Sequence, residues 1–521
     1  MAGTAEAAPN DAARRLGSGG LLWSLDIYDV LVITVFGVFF AAAAQPRVDV
    51  DLGWHLRTGQ LIWETGTVPH SDPFSFTVAG KPWITHEWLS EAIMFPVYAA
   101  WGFGGLILLF AAVNTVGWWF VYRHIREDGG GRAWAAGLLL LGGLTGLNLW
   151  GTRPLVFTLL LAPIYAYLLH RWWKGDRRAL LPLAPLMVLW VNLHGGYMFG
   201  LGLIGLYLLG AVVSRRLGAD GPRSLRPLAL AGVATFLATL ANPNTYQIIW
   251  YPFDTLTSAA MREYLADWPS PDFHEPRFLP FALMLALLFV AAARAGQALK
   301  PIDILLVLAL AAMGLQSNRH IPLFALVATP VLSRWLPNLG TDARRLVGRL
   351  RLARRLQFAN REVPQNGKTV ALNCLVLLAV LSSISLKVAE AVAPEATLAV
   401  HRQYFPVDAV RYIEENDIRG RIYNAYNWGG YLVLHFYPER LVFIDSRADV
   451  YRDEFILEYL ETYYVRPGWR ETLQRHDVAY ALIEANGPLH ILLEASGEWR
   501  VLYRDEVAVL LERIDTAGRP R

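Results

Sequence analysis

The chain has 521 residues, of which 54% are hydrophobic and only 17% charged, against roughly 25% charged in soluble domains. That balance excludes one large soluble core and predicts a polytopic membrane protein. The net charge of +3 is too small for a nucleic-acid partner, and the single cysteine, Cys374, lies inside an apolar run, which excludes disulfides and cysteine-ligated metal.

Residues 1–22 are polar and small, and read as a disordered cytoplasmic tail. The run after them lacks a convincing cleavage site and is long enough to span, so it is expected to be retained as a first helix. Apolar runs near 26–45, 103–122, 133–150, 154–173, 179–193, 197–213, 227–241, 277–294, 302–317, 321–336 and 369–390 predict about 11 transmembrane helices within a domain at 23–395. Several runs fall short of the ~20 residues a span needs, so the pairs around Trp150 and His194 read as tilted or broken helices. Segment 87–102 is amphipathic and reads as interfacial.

Charge sets the expected topology. With the N-terminus in the cytoplasm, alternate loops carry Arg123, Arg126 and Arg132, then Arg171, Lys174, Arg177 and Arg178, then Arg215, Arg216, Arg223 and Arg226, and finally the basic loop 337–368. The opposite loops hold only scattered cations, a positive-inside bias that places the C-terminus outside a plasma (inner) membrane. Residues 396–521 then form an extracytoplasmic α/β domain, with "PVDAVRYIEEN" and "DEFILEYLETYYV" as helices and "RLVFID" and "VAYALIEA" as strands.

The topology sorts the polar residues. Asp49, Asp51, His55, Arg57, His86 and Glu87 fall in the first outer loop, 46–88. Arg153 opens the fourth span from the outside, His194 ends another in "VNLHGGY", Asp267 lies in "REYLADWPSPDF", and Arg319 and His320 lie in "SNRHIP". Ionisable groups at the ends of apolar helices are costly unless they pair or line a hydrated cavity, so one outward-facing pocket is the economical account. Each residue alone has a plainer role. The arginines serve as snorkelling anchors, the histidines as hydrogen-bonded structural groups, and Glu87 and Asp267 as helix caps.

Taken together they suit one chemistry. A carboxylate pair, Asp49 and Asp51, suits a divalent cation such as Mg or Mn, arginines pair with phosphate oxygens, and an entrance beside lipid suits a polyprenyl tail. The set predicts metal-assisted transfer of a sugar or glycan from a polyprenyl-phosphate-linked donor at the outer face. Asp51, Asp49 and Glu87 are the candidate catalytic residues, with Asp51 and Asp49 as metal ligands. Arg153, Arg319 and His320 are candidates for the donor phosphate, and His55, Arg57, His86, His194 and Asp267 for the acceptor or pocket. A non-catalytic scaffold subunit of a membrane complex is the rival reading. A transporter of lipid-linked glycan is a second, which the one-sided charges and the lack of an internal repeat disfavour.

The stretch "DLGWHLR" resembles the first outer loop of GT-C class membrane glycosyltransferases, and in particular of the catalytic subunit of oligosaccharyltransferase. That family has an Asp followed by His or Asn four residues on and often Arg six on, and Asp51, His55 and Arg57 stand at those offsets. "DPFSFTVAGKPW" is similar to the family's continuation. The resemblance implies a GT-C-like fold and a role for Asp51 in binding the catalytic metal near the acceptor. "YNWGGYLVLHFYPERLVFIDSRADVY" (426–451) has the cadence of the family's Trp-Trp-Asp-Tyr-Gly block. Gly430 and Tyr431 match its ending, but Trp428 stands at the motif's Asp and Gly429 at its Tyr. Trp428 and Tyr431 are therefore expected at the acceptor pocket without the family's sequon code. The second outer loop, "TGLNLWGTR", lacks the acidic ligands that the family places there. The wider pattern, with "HEWL" and "NLHGG", is similar to bacterial membrane proteins assigned to glycosyltransferase families. It implies a bacterial origin and leaves open the acceptor (protein, lipid or glycan) and any partner membrane proteins.

Overall fold

The computed structural model describes residues 25–47, 49–258, 261, 268–296, 299–336 and 366–514. The helices of its first part run α1 (Ile27–Ala43), α2 (Leu52–Thr65), α3 (Trp88–Glu127), α4 (Arg132–Gly146), α5 (Leu155–Trp173), α6 (Leu183–Leu193), α7 (Tyr197–Arg216), α8 (Arg226–Ala238), α9 (Gln247–Thr257), α10 (Leu279–Ala295), α11 (Pro301–Gln316), α12 (Ile321–Trp335) and α13 (Gly367–Ala391). Each predicted apolar run is thus helical. Among the described residues, five segments are long and apolar enough to cross a membrane: α3, α5, α7, α10 with the turn before it, and α13. The expected count of about 11 crossings is not reached on length and composition, because runs such as α6, with 11 residues, stop early at polar and glycine-rich ends. The tail, nearly all of the basic loop 337–368 and Asp267 lie outside the described residues.

Local chemistry sets several boundaries. The Asp26 side chain accepts hydrogen bonds from the N–H groups of Tyr28 at 3.0 Å and Asp29 at 2.9 Å, capping α1. Arg132 at the start of α4 pairs with both Asp26 and Asp29, fastening the two helices. Within α3, Gly102 sits at φ 61° and ψ −158°. This break, which only glycine adopts freely, separates the amphipathic segment before it from the apolar one after it.

The C-terminal part contains α14 (Pro394–Tyr404), α15 (Val407–Glu415), β1 (Ile422–Asn424), α16 (Gly429–Phe436), α17 (Ala448–Tyr463), α18 (Trp469–Arg475), β2 (Tyr480–Glu484), α19 (Pro488–Ala495), β3 (Trp499–Arg504) and β4 (Ala508–Arg513). Its sheet has the order β1-β2-β4-β3, with β1 parallel to β2 and the other pairs antiparallel. "VAYALIEA" supplies β2, but "RLVFID" is not a strand of this sheet. The backbone groups of that segment are satisfied elsewhere: Val442 N–H donates to the Phe74 carbonyl at 3.0 Å, and the Asn424 side chain brackets Phe443 and Ile444 at 2.9 and 2.8 Å.

Those contacts belong to a larger seam. Trp54, Phe74, Val78 and Trp83, from the segment between α1 and α3, are buried in the same apolar core as the sheet. The "WGG" triplet makes the approach possible. A Cβ on Gly53 would lie 2.0 Å from the Gly430 carbonyl oxygen, and one on Gly430 would lie 2.2 Å from the Val50 carbonyl oxygen. Backbone on both sides leaves no flexible side chain to yield. Gly430→Ala is therefore expected to lower stability by about 1–3 kcal/mol, the usual cost of overpacking, as a fall in the melting temperature of detergent-solubilised protein. An unchanged melting temperature would show that the seam tolerates separation.

Candidate functional site

A cavity of about 970 Å³ lies along this seam. Its walls include Asp49, Asp51, His55, His86, Glu87, Arg153, His194, Arg319 and Trp428, which the chain delivers from the loop after α1, α2 itself, the start of α3, the start of α5, the end of α6, the turn before α12 and the start of α16. Residues far apart in the sequence thus share one chamber at one end of the helices.

Asp51 immediately precedes α2, and its Oδ1 accepts hydrogen bonds from the Ser446 hydroxyl and from Trp54 Nε1–H, the latter at 3.3 Å. Trp54 Nε1–H also reaches Ser446 Oγ at 3.1 Å. Asp49 Oδ1 accepts the Asp51 backbone N–H at 2.9 Å, and Asp49 Oδ2 lies 3.4 Å from Arg153 Nε. Burial, and then the neighbouring charge of Asp49, push the Asp51 carboxyl up to about 7.

Glu87, at the N-cap position of α3 but without a side-chain capping bond, gathers three imidazoles. Its carboxylate oxygens lie 3.4 Å from His55 Nε2, 3.3 Å from His86 Nε2 and 3.4 Å from His194 Nε2. Burial alone would raise Glu87, but the charge and hydrogen bond of His86, aided by His194 and His55, outweigh it and hold the group at about 2. Burial lowers His55 and His194 to about 4, whereas Glu87 raises His86 against its own burial. The Gly196 N–H donates to His194 Nδ1 at 2.9 Å, so Nε2 carries the His194 proton and faces Glu87. Trp88 Nε1–H donates to Asn192 Oδ1 at 2.6 Å, locking "HEW" against "NLHGG".

Three predicted residues do not line the cavity. Arg57 stands six residues after Asp51, about 240° around a helix of 3.6 residues per turn, and so faces away. It donates to the Leu434 carbonyl and, at 2.7 Å, to Gln60 Oε1. His320 follows Arg319 on the turn into α12 but is not part of the cavity wall. Tyr431 is buried in the core with its ring stacked on Phe405 at 4.9 Å. Trp428 lines the cavity, but its Nε1–H is given to the Tyr404 carbonyl at 2.9 Å.

Sequence reasoning missed Glu91, Tyr426, Ser446, Arg447 and Asp449, all of which line the same chamber. The last three lie in the "SRADV" stretch of the 426–451 likeness. Arg447 is buried, and its Nη2 donates to Asp72 and Asp445 at 2.6 Å each. Burial raises Asp449 above the ordinary carboxylate range. Among the described residues, the one trio of ligand atoms within 4.8 Å of one another is His124, Asp128 and His170, at the opposite ends of α3 and α5. There Arg334 Nη1 already donates to Asp128 Oδ2 at 2.7 Å and lies 3.3 Å from His124 Nε2, which makes the trio part of an ion-pair network. The Asp49–Asp51 pair, though Asp49 also faces Arg153, is of the donor type a divalent cation takes. It offers hard oxygen donors, and a cation would remove the repulsion that raises Asp51.

No protein-family model and no curated protein matches the chain. Among solved structures it is similar to the oligosaccharyltransferase of Archaeoglobus fulgidus in its apo form, with a TM-score of 0.53 and 12% identity over 87% of this chain and 69% of that one. It is also similar to the archaeal oligosaccharyltransferase from the same organism in complex with an inhibitory peptide and a dolichol-phosphate, with a TM-score of 0.51 and 14% identity over 88% and 69%. A third similar structure is the arabinofuranosyltransferase from Mycobacteria, with a TM-score of 0.50 and 14% identity over 94% of this chain and 40% of that one. At these identities the likeness is one of architecture: the chain has the GT-C fold of membrane glycosyltransferases.

Proposed function

We propose that this chain transfers a sugar or glycan from a polyprenyl-phosphate-linked donor to an acceptor hydroxyl at the outer face of the membrane. The observation that carries the reading is the convergence of Asp49, Asp51, Arg153 and Arg319 on one cavity, within the GT-C fold. The dolichol-phosphate held by the archaeal neighbour supports a lipid-phosphate donor here as well.

In this reading Arg153 and Arg319 contact the donor phosphate, and Arg319 is steadied by Trp268, whose ring centroid lies 4.7 Å from its guanidinium. Asp51 and Asp49 hold a divalent cation, which when bound supplies charge stabilisation to the leaving phosphate. The bond from the anomeric carbon to the phosphate oxygen breaks with its electron pair staying on phosphate, the anomeric carbon passes through an oxocarbenium-like state, and the acceptor oxygen closes the new bond. The acceptor proton goes to a carboxylate. Asp449, raised by burial, suits that task better than Glu87, whose low value makes it a weak base and an anchor for the three histidines.

Arg319→Ala is expected to weaken binding of the polyprenyl-phosphate donor by about 10- to 100-fold, the worth of a charge-assisted hydrogen bond. Titration of purified protein in nanodiscs with undecaprenyl phosphate measures it. Unchanged donor affinity would remove Arg319 from the phosphate site.

A further inference from the structure

The cavity extends beyond the ionic end. From Asp51 its wall continues through Ser446 to Tyr426, whose hydroxyl donates to the Ser446 carbonyl at 3.1 Å and whose N–H donates to the Tyr459 hydroxyl at 2.8 Å. Beyond Tyr459 the lining changes character. Tyr459 and Tyr463, one turn apart on α17, stack with ring centroids 5.9 Å apart, and Tyr464 meets Tyr463 edge-on at 5.1 Å. The same cavity wall holds Asn427, Glu484 at the end of β2, and Glu506 in the turn before β4. The Tyr463 hydroxyl bonds to Glu484, whose Oε2 is buried with no hydrogen-bond partner.

Among the described residues, the cations of the cavity wall itself are elsewhere, and Arg466, outside that wall, lies over the Tyr464 ring at 5.9 Å. Arg153 pairs with Asp49, Arg319 lies on Trp268, and Arg447 is held by Asp72 and Asp445. The histidines gather at Glu87. The far end is therefore aromatic, amide-bearing and acidic. Such a wall offers phosphate no cation of its own. It matches a neutral sugar, whose C–H face lies on tyrosine rings and whose hydroxyls donate to carboxylate oxygens. A buried carboxylate oxygen without a donor is costly, and a sugar hydroxyl would satisfy it.

We infer that this end of the cavity is a saccharide groove, built wholly by the C-terminal domain, that holds a neutral glycan acceptor with its reacting hydroxyl toward Asp51. The inference rests on the transfer function proposed above and names its acceptor class.

Saturation-transfer NMR on the full chain in nanodiscs tests it, with neutral glucan, mannan and galactan pentasaccharides as probes and an uncharged pentapeptide as the competing class. Ring C–H protons of at least one saccharide are expected to receive saturation. Tyr464→Ala, at an exposed position where folding is not at stake, and Glu484→Gln are each expected to weaken that binding about tenfold or more. Saturation reaching only the peptide, no signal from any saccharide, or saccharide binding indifferent to both substitutions overturns the inference. Undecaprenyl phosphate is titrated in parallel into the unsubstituted protein. If it binds while the saccharides do not, only the acceptor assignment falls; if it also fails, the transfer function falls with it.

Discussion

Asp51→Ala is expected to lower the rate of glycosyl transfer by about 10³-fold or more, the order seen when a preorganised charge at a reacting centre is removed. The argument is local. Asp51 is the residue at which three things meet: the carboxylate partner Asp49, the Ser446 and Trp54 donors that fix its orientation, and the cavity that Arg153 and Arg319 also line. Asp51→Asn separates charge from shape. Its amide oxygen still accepts from Ser446 and Trp54, so the variant should fold and melt like the unsubstituted protein while losing transfer to the same extent. The measurement is transfer of labelled sugar from a polyprenyl-phosphate donor by membranes carrying each variant, with and without a divalent-cation chelator. Chelation should bring the unsubstituted protein down to the level of the variants. Undiminished transfer by Asp51→Asn would show that the charge at this position is not part of the chemistry.

Arg447→Ala is expected to destabilise the protein by about 3–5 kcal/mol, the cost of leaving buried partners of an ion pair uncompensated. Arg447 holds two carboxylates at once. Nη2 reaches Asp72 and Asp445 at 2.6 Å, and Nε reaches Asp445 Oδ1 at 2.9 Å. Its guanidinium lies 4.5 Å from the Trp83 ring and 4.9 Å from the Phe74 ring, so the cation is clamped between the aromatic residues of the segment before α3 and the acid of its own segment. All three charged side chains are buried, so removing the guanidinium leaves Asp72 and Asp445 without their shared partner. Arg447→Lys keeps the charge but not the planar fork, and should recover only part of the loss. Denaturant-induced unfolding in detergent, followed by tryptophan fluorescence, gives the comparison. A loss under about 1 kcal/mol, the scale of an exposed pair, would mean that the seam between loop and domain does not depend on this network.

Hydrophobic periodicity and run length told where the helices are, because a membrane helix advertises itself residue by residue. The same one-dimensional signal found Asp49, Asp51, His86, Glu87, Arg153, His194 and Arg319, since a charged residue at the edge of an apolar run is conspicuous there. It did not find Ser446, Arg447, Asp449 or the tyrosines of α17. In an α/β domain polar residues are the ordinary background, and nothing in their own segments marks the few that face inward. Nor did it reveal that Arg57 turns away: the offset from Asp51 matched a motif, while helical rotation decides direction.

Composition and hydropathy alone pointed to a multi-helix membrane protein with mixed helix and strand near its end, because the solvent preference of each side chain is a property of the residue itself. Which of its polar side chains meet was settled only in three dimensions. Gly53 and Gly430 let two backbones touch, the segment between α1 and α3 entered the core around a sheet some 400 residues away, and "RLVFID" gave its hydrogen bonds to that segment and to Asn424 rather than to the sheet. Close approach between distant segments depends on the shapes of both, and neither segment carries that information by itself.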